Sequence, residues 1–277
     1  MKNIRSKSLL TLIIILFIIG FTTSARNIMG FTGDNFTDSI VDPASAPVAD
    51  SAMVSNPARV VYPVALREHR DESKAYVKQY AQKQRSYIIY MFNRGKEYFP
   101  KAAKIFAEYN VPEEFRFLPA LESNFHGNAV SRAGAVGYWQ FMSELGRDYG
   151  LHINSKVDER KNFTKSTIAA AKFFRDQMHI FGGDILLSVA AFNCGTGGVR
   201  VAMKKTGISE PDFWEVKKYL PLETRIFVMK FIALNVIGNN YHKFINHKLD
   251  FSEPALIQLA IKDTSSADST LVAENPL

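Results

Sequence analysis

From about Val64 to Ile237 the chain is a succession of apolar segments at helical spacing, most of them opened or closed by a capping residue. No segment alternates apolar and polar residues as a half-buried strand would. This pattern predicts an all-α, or mainly α, fold. Glu72 to Phe92 reads as one charged helix with Tyr76, Val77, Tyr80, Ile88, Ile89 and Phe92 on its apolar positions. Tyr98 to Tyr109 reads as a second. Val111-Pro112-Glu113-Glu114 opens a third, with Pro and then acids in the first turn, and Pro119 should kink or shorten it. A looser stretch from Gly127 to about Val136 precedes a helix from Trp139 to Tyr149. Asn162 can cap a helix from Thr164 to Phe181, closed by Gly182-Gly183, and Asp184 can cap a buried one from Ile185 to Asn193. Gly197 to Lys205, closed by Gly207, and the apolar run Glu223 to Ile237 complete the set. No internal repeat is visible.

The segments outside this region read differently. Lys2, Arg5 and Lys7 precede the apolar run Leu9 to Phe21 and the small residues Thr22 to Ala25. Residues 1–25 are therefore expected to be a secretory signal, or an uncleaved anchor, although the run falls short of the roughly 20 residues that span a bilayer. Residues 26–65, with Pro43-Ala44-Ser45-Ala46-Pro47, read as a flexible linker, and 251–277 as a flexible tail. That leaves 66–250 as one folded domain. Cys194 is the only cysteine, so no internal disulfide forms, and no cysteine near Ala25 is available for lipid modification. The net charge of +7 falls once the leader is removed. On charge alone the plain reading is a soluble basic surface, compatible with an anionic envelope polymer. There is no nucleic-acid motif.

Glu122 is the residue that points to chemistry. In Phe115-Arg116-Phe117-Leu118-Pro119-Ala120-Leu121-Glu122-Ser123-Asn124-Phe125, helical spacing aligns Phe115, Leu118, Glu122 and Phe125. A carboxylate thus stands where the pattern asks for an apolar side chain, with no Lys or Arg one turn away to pair with it. Such a group is either at a helix end, bonded to something distant in sequence, or a desolvated acid of raised pKa suited to general acid catalysis. Nine residues on, Ser131 leads into Gly134-Ala135-Val136-Gly137-Tyr138-Trp139-Gln140-Phe141-Met142. Glycines let backbone approach a ligand, Trp139 offers an apolar platform, and the Gln140 amide offers both donors and an acceptor, a mix that suits a sugar. A glycine turn followed by a core Trp fits the same letters. Asn193, in Ala190-Ala191-Phe192-Asn193-Cys194-Gly195, is either a helix cap or an amide facing a cleft.

Together, Glu122-Ser123, the Gly-x-x-Gly-x-Trp-Gln-Phe-Met segment and Ala-Phe-Asn-Cys-Gly resemble the ordered motifs of the lytic transglycosylase domain family related to soluble lytic transglycosylase and goose-type lysozyme. The likeness runs from about Leu66 to Phe244 and implies a lysozyme-like helical domain with a substrate groove. It implies that Glu122 is the sole catalytic acid and base. Ser131, Gln140 and Asn193 would contact substrate, and Tyr138, Trp139 and Met142 would line the groove. The implied substrate is the peptidoglycan glycan strand, and the implied location is the periplasmic cell envelope, with membrane association through the N-terminus.

The implied reaction needs no metal or cofactor. Protonated Glu122 donates to the oxygen between N-acetylmuramic acid and N-acetylglucosamine, then deprotonates the C6 hydroxyl to close a 1,6-anhydro ring. A hydrolytic muramidase of the same fold and a non-catalytic peptidoglycan-binding protein are the rival readings. Two departures from the family pattern bear on them. Phe227 stands where the family usually has a Tyr whose hydroxyl lies near the catalytic carboxylate. Too little chain follows for the LysM repeats of the similar membrane-bound subgroup, so glycan affinity would come from the groove.

Overall fold

The computed structural model describes residues 59–252. The expected leader, nearly all of the linker, and the tail beyond residue 252 lie outside the described residues. Within them the chain forms eleven α-helices and no strands, only isolated bridges, in keeping with the all-α expectation. The helices are α1 (Arg70–Lys83), α2 (Arg85–Gly95), α3 (Tyr98–Glu108), α4 (Leu118–Ser123), α5 (Ser143–Asp148) and α6 (Phe163–Ile180). They continue with α7 (Ile185–Cys194), α8 (Thr196–Thr206), α9 (Phe213–Lys217), α10 (Leu222–Asn239) and α11 (Tyr241–Ile245).

The anticipated caps set several of these boundaries. Asn162 Oδ1 accepts from Lys165 N at 3.0 Å and opens α6; Asp184 Oδ1 accepts from Leu187 N at 2.8 Å and opens α7. Gly207 closes α8 in the left-handed conformation. Asp212 and Glu215 form a reciprocal capping box on α9.

α7 and α10 are apolar on nearly every side because other elements cover them all round. Residues 185–191 of α7 and 231–237 of α10 are buried throughout. α10 packs on α1 and α7, and the 3-10 turn Glu113–Phe117 leans on it through Phe115, 5.9 Å from Phe231 between ring centroids. Phe115 also stacks on Phe174 of α6 at 4.0 Å.

Three local expectations are revised. Glu72 to Phe92 is two helices, because the chain turns at Gln84 and frees Arg85 to donate to Phe244 O at 2.6 Å and Ile245 O at 2.8 Å. Residues 139–142 are not helical. Val136 N reaches Phe141 O at 3.1 Å and Gln140 takes a φ of 49°, so the helix starts only at Ser143. Packing begins before Leu66, since Tyr62 is buried with its hydroxyl 3.2 Å from Ser73 Oγ.

Candidate functional site

Glu122 lies in the last turn of α4. Pro119 occupies the first turn, where its missing N–H costs nothing, so it starts this helix rather than kinking it. The helix stops abruptly. Asn124 and Phe125 take φ of 49° and 59°, Asn124 N bonds Ala120 O and Phe125 N bonds Pro119 O, the paired closure of a Schellman motif. Two successive non-glycine residues in this conformation store strain directly after Glu122. Arg94 of α2 braces the bend, donating from Nε to Asn124 O at 2.8 Å. The apolar stripe predicted around Glu122 is therefore not one helical face. Phe115 sits in the 3-10 turn and Phe125 beyond the bend, both buried, and only Leu118 and Glu122 share α4.

Glu122 keeps some contact with solvent. Its carboxyl is nonetheless desolvated, and this burial, with a smaller push from the nearby carboxylate of Glu223, raises its pKa to about 8. Among the described residues no side chain hydrogen-bonds or ion-pairs with it. Burial also raises Glu223, while Lys230 two turns further along α10 pulls it back.

The segment after α4 is fastened to it by Ser123, whose buried Oγ donates to Tyr138 O at 2.9 Å. Ser131 Oγ accepts from Ala135 N at 3.0 Å, and Ser131 N donates to Ala135 O at 2.9 Å, which shapes the turn through Gly134. Gln140 donates from Nε2 to Gly137 O at 2.8 Å and to Ala129 O at 3.3 Å, leaving Oε1 for another partner. Ser131, Tyr138, Gln140 and Met142 all remain partly exposed. The Tyr138 hydroxyl is 3.4 Å from that of Tyr98, and burial with this contact pushes its pKa up to about 12.

Asn193 is not a helix cap. Gly195 performs that function, donating to Ala191 O, and Asn193 lies in the last turn of α7, partly exposed. Its Oδ1 accepts from Thr224 Oγ1 at 2.7 Å, which ties α7 to the first turn of α10 beside Glu223 and leaves the amide NH₂ available. Phe227, one turn further on, is partly buried against the core and brings no hydroxyl to the Glu122 carboxyl.

Two expectations fail here. Trp139 does not line a groove. It is fully buried, its Nε1 donates to Thr167 Oγ1 at 3.0 Å, and its ring meets Phe106, Phe174 and Phe192. The alternative of a core Trp is the one realised, because Thr167 satisfies the indole N–H inside the core. Gly137 approaches the chain's own backbone rather than a ligand. At its φ of 86° a Cβ would lie 2.0 Å from Arg160 O.

Sequence reasoning missed the residues that hold the site together. Thr224 and Ser123 are buried hydroxyls with no periodic signature. Arg160 is buried, bound twice by Asp158 (Nε 2.9 Å, Nη2 2.7 Å), and donates from Nη1 to Phe141 O at 3.0 Å and Gly134 O at 3.3 Å. It supports the Gly134–Phe141 turn from beneath. Asp158 also accepts from Arg160 N at 3.2 Å, and its hold on the Arg160 side chain gave no signal in the sequence.

Residues 98–214 match the Transglycosylase SLT domain. The chain is 36% identical over 177 residues to membrane-bound lytic murein transglycosylase D of Escherichia coli K12, which covers 63% of this chain and 38% of that protein. It is 33% identical over 90 residues to a putative tributyltin chloride resistance protein of Alteromonas, covering 32% of this chain and 44% of that one. The chain thus spans well under half the length of these relatives. Among solved structures, lytic transglycosylase Slt of Pseudomonas aeruginosa aligns with a TM-score of 0.44 and 22% identity, over 53% of this chain and 24% of that one.

Proposed function

We propose that this chain, whose residues 98–214 belong to the transglycosylase SLT domain family, is a peptidoglycan lytic transglycosylase with Glu122 as its single acid and base. The observation that carries the proposal is the Glu122 carboxyl itself. It is partly exposed, without a cationic partner among the described residues, and burial keeps it protonated to about pH 8.

The proton on Glu122 goes to the glycosidic oxygen as the bond from C1 of N-acetylmuramic acid breaks. The sugar cation is stabilised by its own N-acetyl group. The Glu122 carboxylate then takes the proton of the C6 hydroxyl while O6 bonds to C1, giving the 1,6-anhydro product and restoring the acid. The substrate supplies the nucleophile, so no second catalytic carboxylate is required, and the intramolecular attack gains from proximity. Gln140 Oε1 and the Asn193 NH₂ are the polar groups left to orient the sugar, with Ser131, Tyr138 and Met142 around them. Phe227 leaves the acid without the family's tyrosine hydroxyl, which favours the protonated form. An envelope location, with the N-terminal apolar run as leader or anchor, accords with the name of the membrane-bound Escherichia coli relative.

Digestion of purified sacculi with product analysis by mass spectrometry tests this reading. Anhydro-muropeptides from wild type and none from Glu122→Gln are expected. New reducing ends would make the protein a muramidase, and sacculus binding without release would make it a binding protein.

A further inference from the structure

The C-terminal half of α1, the start of α2, α11 and the segment after it line a cavity of about 310 Å³ that does not include Glu122. Its floor is apolar, from Phe244, Leu249 and Phe251, and its rim is basic, from Lys78, Arg85 and His247. The charge is one-sided. Residues 74–85 and 241–251 together hold six Lys or Arg and a single acid, Asp250. Ile245, beside Arg85, is 40% exposed. Arg85 holds the end of α11 through its two carbonyl bonds and lies 4.8 Å over the Phe244 ring, so the cation stands directly above apolar surface.

Both ends of the folded region meet at this place. Val60 N donates to Asp250 O at 2.8 Å, and Asp250 lies between the two floor residues Leu249 and Phe251. The described chain therefore both begins and ends beside the cavity.

We propose that this face docks on an anionic phospholipid bilayer, with headgroup phosphates against Lys78, His247 and Lys248 and lipid carbons over Leu249, Phe251 and Ile245. A cationic rim around an apolar floor matches the two layers of a lipid interface, which a purely anionic polymer would not use. The proposal is independent of the catalytic reading.

The test is co-sedimentation of the full chain with vesicles of phosphatidylcholine alone and with phosphatidylglycerol added. The N-terminal run with its Lys2, Arg5 and Lys7 is the same in every variant, so the change in anionic preference between variants reads the face. Lys78→Glu with Lys248→Glu, both at exposed positions, is expected to lower that preference on the order of ten-fold or more. Lys204→Glu with Lys205→Glu, exposed on α8, carries the same charge change and is expected to keep it. Added salt should erase it in wild type. Unchanged circular dichroism shows that the variants fold. Equal loss in both pairs, no lipid preference in wild type, or loss of sacculus retention with vesicle binding intact would each overturn the proposal, the last assigning the face to a wall polymer.

Discussion

A carboxyl that keeps its proton to about pH 8 in the folded chain releases it near 4.3 when unfolded. Below the unfolded value both states are protonated and Glu122 costs nothing. Between the two values the unfolded state ionises and the folded state does not, so stability falls with rising pH and the full cost is present above the folded value. Glu122→Gln should therefore stabilise the protein by on the order of 2–4 kcal/mol at pH 8 and by much less at pH 5. Thermal melts at the two pH values check this, whatever the variant does to turnover. Glu223 contributes part of the shift from the first turn of α10. Glu223→Gln should move the alkaline limb of the pH–rate profile to lower pH, because a like charge beside the acid is removed. An unmoved limb would leave desolvation as the sole cause.

At the scale of elements, the site is a short strained helix locked to a glycine turn. Ser123 Oγ is one link, at 2.9 Å from Tyr138 O. Ser123→Ala should cost about 1–2 kcal/mol in urea unfolding and slow sacculus digestion more than that loss alone explains, because the turn loosens beside Glu122. Gly137 is the tighter constraint, since an added Cβ meets Arg160 O at 2.0 Å from a φ of 86°. Gly137→Ala should destabilise by about 2–4 kcal/mol through backbone strain and displacement of the Arg160 support. A melt within a degree of wild type would mean that the turn relocates freely. The Arg160–Asp158 pair beneath this turn satisfies both charges with good geometry, and the hydrogen bond from Arg160 holds the Asp158 carboxyl below its usual value against the opposing effect of burial.

Across the whole molecule, the aromatic core reaches the back of the site through Trp139, which the sequence offered equally as a sugar platform. Trp139→Phe should lower stability by about 1–3 kcal/mol, leaving Thr167 Oγ1 without its donor, while the Michaelis constant for glycan substrates stays near wild type. A raised Michaelis constant at unchanged stability would restore the platform reading. The helical class, the caps at Asn162, Asp184 and Gly207, and the out-of-place carboxylate at 122 were all legible in the chain. Periodicity and capping act over one or two turns, so local sequence is enough to declare them. The break at Gln84, the direction of Trp139, the duties of Ser123, Thr224 and Arg160, and the nearness of Glu223 to Glu122 were not legible. Each joins residues far apart in sequence, or depends on which side of a turn a ring falls. Burial and hydrogen-bond satisfaction in the packed structure, rather than any local preference, decided them.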